Sequence, residues 1–287
     1  MIIDAHIHLW NPLHGKDAEV DREALRWGKA REGDKIYYAA PPAFEDSQST
    51  YERALAHMDW IGVDRAVVLQ EFMDGKQDDY LARVRRECPE RFSCTALFTK
   101  DYYDDPLGVF ERSVLANHLQ GLLIITRRFP ELATPKMMPL WQACAERGYP
   151  LVMKDGEPPE IRKLVQAVPN LKIVMSHFAG VFGPIEVHRE RVRLAADYEN
   201  VFIDSGALTF RQRYPFPVSK ERLQEAVETA GANKIAWGTD YPRPGLAADS
   251  SYKQQLEFIT IECDFLSDAQ RAEILGGTAL RVYNWDK

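Results

Sequence analysis

Two histidines stand one residue apart in the first apolar run of the chain, Ile3-Asp4-Ala5-His6-Ile7-His8-Leu9-Trp10. Alternate side chains of a strand share a face, so His6 and His8 are expected to point the same way. Two imidazoles so placed can share a metal ion or an anionic group. The pair alone is equally compatible with a structural role. Two further residues add weight to it. His177 closes the apolar run Val174-Met175-Ser176-His177, and Asp240 closes Trp237-Gly238-Thr239-Asp240. Three imidazoles and a carboxylate, brought by three separate apolar runs, can activate water and polarise a carbonyl.

Those residues need a frame that gathers the ends of several strands. Short apolar runs alternate with amphipathic stretches along the whole chain. The runs predict strands at residues 2–6, 65–70, 92–97, 121–125, 150–154, 172–177, 201–205 and 234–238. Helices are expected near 49–61, 77–87, 106–118, 138–147, 159–167, 183–198, 219–230 and 252–262. Runs such as Ala66-Val67-Val68-Leu69 and Leu122-Leu123-Ile124-Ile125 suit parallel strands buried on both faces. Eight strands, each followed by a helix, predict an α/β fold: a single-domain (β/α)₈ barrel over residues 1–287. A doubly wound open sheet is the alternative. In a barrel the C-terminal strand ends meet on one face, which would bring His6, His8, His177 and Asp240 together. Ser49, with Glu52 three residues on, reads as an N-cap and capping box, and Ser219 as a second N-cap. Gly62, Gly148 and Gly231 mark helix ends. A long segment, about 11–48, has no regular pattern and follows the His6/His8 strand, so it reads as a loop forming a lid.

The motifs Asp4-Ala5-His6-Ile7-His8, Ser176-His177-Phe178-Ala179-Gly180 and Gly238-Thr239-Asp240-Tyr241-Pro242 resemble those of the amidohydrolase-related metal-dependent hydrolases. The tail Ile274-Leu275-Gly276-Gly277-Thr278-Ala279-Leu280-Arg281-Val282-Tyr283 is similar to their closing helix, with Thr278 where the family usually has Asn. The nearest branch is the sugar-lactonase and 2-pyrone-4,6-dicarboxylate hydrolase group, and Val68-Leu69-Gln70 and Asn200–Gly206 also fit it. The decarboxylases are a more distant match. The resemblance implies His6, His8 and Asp240 as ligands of one divalent zinc or manganese ion. One position departs from the pattern: Lys154 stands where metal-binding members have a histidine at the end of strand five. An ammonium cannot ligate a metal. Either no metal binds, as is held for some lactonases of this branch, or a modified or deprotonated lysine helps, or Asp155 or Glu157 takes the ligand's place.

The activity expected from this pattern is hydrolysis of a small lactone of a sugar acid or dicarboxylate. Asp240 would act as the base, His177 with His6 and His8 would polarise the carbonyl, and Lys154 would add positive charge near the oxyanion. Arg127 and Arg128 follow strand four, Arg211 and Arg213 follow strand seven, and Arg243 follows Asp240. Their planar forks suit carboxylates, so with Gln70 and Tyr241 they are the candidate substrate-binding residues. His14, His57, His118 and His188 read as surface or packing residues. The rival readings are a metal-dependent decarboxylase or hydratase of aromatic-derived acids, and a barrel that binds a small anion without catalysis.

Composition narrows the partners. The 287 residues carry a formal charge of −7 with no basic run, which argues against a nucleic-acid surface. No long apolar stretch predicts a membrane span, and no secretory pattern follows Met1, so a cytoplasmic enzyme with a small anionic or polyhydroxy substrate is expected. Cys88, Cys94, Cys144 and Cys263 lack metal or redox spacing. Trp27, Tyr37 and Tyr38 read as exposed aromatics of the lid or of a homodimer contact.

Overall fold

The structure, a computed structural model, describes residues 1–13, 22–244, 246 and 250–285. Among them the strands in chain order are β1 (Ile3–Ile7), β2 (Arg22–Ala24), β3 (Lys29–Glu32), β4 (Lys35–Tyr38), β5 (Arg65–Val68) and β6 (Phe92–Cys94). They continue with β7 (Ala96–Leu97), β8 (Leu122–Ile125), β9 (Leu151–Lys154), β10 (Ile173–Met175), β11 (Val201–Asp204) and β12 (Ile235–Ala236). Strands β1, β5 and β6 form a parallel sheet, and β7 to β12 form a six-stranded parallel sheet in chain order. The run expected at 92–97 is thus divided at Thr95, its first half pairing with β5 and its second with β8. Beyond β12 the chain turns to β1: Ala5 N–H donates to Trp237 O at 2.7 Å, Asp240 N–H to His6 O at 2.9 Å, and His8 N–H to Tyr241 O at 2.7 Å.

Both faces of the parallel strands are buried, as their unbroken apolar runs require. Val67, Leu123, Ile125, Val152, Val174 and Ala236 share one cluster with Ala279, Val282 and Tyr283. Their neighbours Val68, Ile124, Met153, Met175 and Ile203 face the helices, meeting Leu81, Leu140, Trp141, Leu164 and Leu223. Each such fully buried aliphatic side chain contributes about 1.5–3 kcal/mol.

Several expectations change in detail. Segment 11–48 is not irregular throughout: β2, β3 and β4 make an antiparallel sheet, with Ala30 opposite Tyr37 and Lys29 opposite Tyr38. Alternation of charged and apolar residues in Arg22–Tyr38 was too short a signal beside the parallel runs. Ser49 is not the N-cap of helix Tyr51–Ile61. Thr50 is, its side chain accepting from Arg53 N–H, while the Ser49 hydroxyl donates to His8 O at 2.9 Å. Ser219 lies inside helix Pro217–Ala230 and donates to Leu208 O. Gly62 and Gly231 do end their helices, both at positive φ. No described helix is long and apolar enough to cross a membrane.

Candidate active site

Strand β1 does not simply alternate. Asp4 pairs opposite Ala66 and Ile7 opposite Val68, so Ala5 and His6 together face one residue of β5. This bulge re-aims the side chains that follow it. Asp4 stays with the outer layer, where it accepts from Thr239 N–H at 3.0 Å and the Thr239 hydroxyl at 2.6 Å, and burial pushes its carboxyl up to about 6. His6 instead turns in beside His8. Two glycines make room for it. A Cβ on Gly206 would lie 2.4 Å from His6 Nδ1, and one on Gly238 2.7 Å from His6 Cβ. Gly206→Ala is therefore expected to destabilise the fold by about 1–3 kcal/mol and to weaken divalent-metal binding, read by thermal melting and metal titration. An unchanged melting temperature would show that His6 has room to move.

His6 and His8 are almost fully buried and meet Asp240. His6 Nε2 lies 3.2 Å from His8 Nε2, His8 Nε2 lies 2.9 Å from Asp240 Oδ1, and His6 Nε2 lies 3.8 Å from the same oxygen. Each imidazole has its other nitrogen occupied. His6 Nδ1 is 2.9 Å from Asp204 Oδ1, and His8 Nδ1 is 2.8 Å from Leu69 O. Asp74 stands 3.3 Å from His8 Nδ1 as well. The Leu69 carbonyl accepts only, so His8 Nδ1 carries a proton. Asp240 and the His6 Nε2 lone pair also call for one on His8 Nε2. Burial pushes the His8 pKa down, but the bonds to Asp240 and Asp74 outweigh it and raise it to about 9. The Asp240 carboxyl is opposed by burial yet held far below the usual range by Arg243 and His8. Its backbone adopts a left-handed φ of 62°, a strained conformation that clusters at functional sites.

His177 does not end its strand. It begins a left-handed turn through Phe178 and Ala179, with φ values of 52°, 49° and 54°. This stacks its ring on that of His6, centroids 5.0 Å apart, and leaves Nδ1 buried without a hydrogen bond. Burial, Lys154 and His6 hold its pKa well below the usual value, so the ring is neutral at pH 7. Lys154 Nζ sits 2.6 Å from Glu71 Oε2. Burial works against ionising Glu71, but Lys154 and His8 bring it down to about 2.

Of the candidate substrate-binding residues, Arg243 alone is built into this cluster, 3.4 Å from Asp74 and 3.6 Å from Asp240. Gln70 is near but its amide is used: it donates to Asp78 and Thr95 O and accepts from Gln77 N–H. It thereby pins the turn that delivers Glu71 and Asp74. Tyr241 faces away from Asp240, its hydroxyl 2.9 Å from His57 Nδ1. Arg128 covers the Phe72 ring at 3.8 Å, exposed Arg127 lies 3.5 Å from Asp155, and Arg211 and Arg213 are exposed. Asp155 thus faces Arg127, and Glu157 pairs with Arg191, so neither joins the histidines as a substitute ligand. His57 packs on Tyr241, and His188 packs against Phe178. His14 lies outside the described residues. The residues the sequence reading missed are Glu71, Asp74 and Asp204. Glu71 and Asp204 also end apolar runs, the signal that found His177 and Asp240; Asp74 carries no such signal.

His6, His8 and Asp240 form a group that could hold a metal ion, one ligand atom from each within 4.8 Å of the others. Ligand atoms of a tetrahedral zinc lie about 3.3 Å apart, given bonds near 2.0–2.1 Å. The three separations bracket that value. The Asp204 and Leu69 partners are those that orient metal-bound imidazoles. Charge fits too. With His8 neutral, Asp74, Asp204, Asp240 and Glu71 outnumber Lys154 and Arg243 by two charges, which a divalent ion would balance.

Solved structures share this fold. An amidohydrolase from Burkholderia multivorans with bound HEPES is 15% identical over 100% of both chains, with a TM-score of 0.71. A probable 2-pyrone-4,6-dicarboxylic acid hydrolase from Acinetobacter baumannii with citric acid bound is 16% identical over 98% of both chains, TM-score 0.68. A 5-carboxyvanillate decarboxylase from Sphingomonas paucimobilis is 17% identical over 99% of both, TM-score 0.66. No curated protein matches the chain. The amidohydrolase family model matches residues 3–285, and the chain belongs to that family.

Proposed function

We propose that the protein is a hydrolase that opens a small anionic lactone, built as one (β/α)₈ barrel whose strand ends carry the site. The bonds between residues 237–241, which follow β12, and residues 5–8 support closure of the barrel. The observation that carries the activity is the His6–His8–Asp240 triangle with neutral His177 and cationic Lys154 at its edge. His6, His8 and Asp240 would hold a divalent ion, which would supply a Lewis acid and a lower pKa for water. Asp240 accepts the proton of the attacking water and later returns one to the leaving oxygen. His177, neutral, has an N–H to offer the carbonyl oxygen as negative charge develops there. Lys154, tethered by Glu71, adds positive charge on the same side. Arg243 keeps Asp240 ionised until the substrate arrives, and Arg127 and Arg128 draw anionic groups to the mouth.

A metal-dependent decarboxylase is the second reading, favoured by the completeness of the three-ligand set. Lys154 tied to Glu71 in place of a fourth ligand weighs against it. Elemental analysis with turnover before and after chelation is the test. About one zinc or manganese per chain, with opening of 2-pyrone-4,6-dicarboxylate or a sugar lactone lost on chelation, is expected. Lactone opening unaffected by chelation would overturn the metal's role. Release of carbon dioxide from 5-carboxyvanillate or 2,6-dihydroxybenzoate, with no lactone opened, would replace the activity.

A further inference from the structure

Of the three aromatics expected to be exposed, Trp27 and Tyr38 are and Tyr37 is not. Tyr38 is 47% exposed, whereas Tyr37 is half-buried and its hydroxyl oxygen is sealed from solvent without a hydrogen-bond partner. The register explains the difference, since Tyr37 stands opposite fully buried Ala30 on the inner face of the β2–β4 sheet. The same sheet brings in Arg22. Its guanidinium lies 4.4 Å above the Phe72 ring, bonds Phe72 O at 3.1 Å and Glu32 at 2.9 Å, and is buried. Phe72 directly follows Glu71, so Arg22 docks the sheet onto the turn that carries Glu71 and Asp74 into the site.

The Tyr37 hydroxyl sits in the fields of Arg22 and Arg243, which counter the effect of burial on it, and of Glu32, which adds to it. The Glu32 carboxylate is engaged by Arg22 and makes no bond to the hydroxyl. Guanidinium groups donate only, so neither can accept the phenolic proton. A buried donor without an acceptor is costly, and the natural acceptor between two guanidinium groups is an anionic oxygen. We propose that the Tyr37 hydroxyl, held on the β2–β4 sheet beside Arg22 and Arg243, donates to a carboxylate of the substrate and so selects for anionic substrates. This rests on the reading of the cluster as the site of an anionic lactone. It gives the β2–β4 sheet a part in substrate selection.

The test is calorimetric binding of isophthalate, a planar dicarboxylate that cannot be hydrolysed, to the unaltered protein, Tyr37→Phe and Tyr38→Phe. Tyr37→Phe should weaken binding about tenfold or more, while Tyr38→Phe should bind as the unaltered protein does. Without ligand, Tyr37→Phe should melt a few degrees higher, because the orphaned hydroxyl is gone. Equal affinity for isophthalate, no binding to the unaltered protein, or a lower melting temperature for Tyr37→Phe would each overturn the proposal. Because no turnover is read, a Tyr37-dependent affinity in a protein that opens no lactone would sink the hydrolase reading and leave this subsite standing.

Discussion

Asp240→Asn is expected to lower kcat by roughly 10²–10⁴-fold, the usual contribution of a positioned general base. Asparagine keeps the shape of the side chain and tolerates the left-handed φ of 62° that position 240 adopts, so the backbone should hold. It cannot take a proton from water. It also strips His8 and Arg243 of the carboxylate that lies 2.9 Å and 3.6 Å from them. Two effects would then mix, loss of the base and loss of a metal ligand. Kinetics at saturating manganese separate them, because a loss that survives metal saturation belongs to proton transfer. A KM that stays within a few-fold while kcat falls would place Asp240 in the chemical step and not in binding. Activity within tenfold of the unaltered enzyme would remove Asp240 from the role of base.

The ends of the apolar runs were the most legible feature of the sequence, because a buried parallel strand must change character where it leaves the core. That rule placed His177, Lys154 and Asp240 near one another, and the structure brings their side chains into one cluster. It failed where function depends on irregular backbone. The bulge at Ala5 and His6 separates Asp4 from His6 by face, although strict alternation would align them. The left-handed turn at His177–Ala179 also lay beyond a period-based reading, since no residue there is a glycine. Arginines are less legible for a different reason. A strand-end position fixes where Arg211 or Arg213 begins, but a long flexible side chain decides for itself whether it meets the site or solvent. Arg243 enters the cluster because Asp74 and Asp240 draw it there, and Asp74 was invisible until the turn held by Gln70 was seen.

Loading of the site with manganese should tighten about tenfold per pH unit between pH 6 and 8 and level off near pH 9, a proton-for-metal exchange at His8. His8 must give up its Nε2 proton to bind an ion, and with its pKa raised to about 9 it holds that proton at neutral pH. Calorimetry in buffers of different ionisation enthalpy should find close to one proton released per ion at pH 7, and about half a proton at pH 9. The ligand-free protein should respond in the opposite direction. Because the folded pKa of His8 lies above its ordinary value, the stabilisation it provides is fully present below about pH 6.5 and is lost as pH rises through 9. His8 is almost fully buried, so that loss is on the order of 3 kcal/mol, visible as a falling melting temperature. Metal-loaded protein, its His8 already neutral, should escape this decline, and the gap between the two melting curves should widen with pH. A gap that stays constant from pH 6 to 9, or a proton count near zero at pH 7, would mean that His8 is neutral before the ion arrives. The bonds to Asp240 and Leu69 would then have to be shared differently from the arrangement that these distances impose.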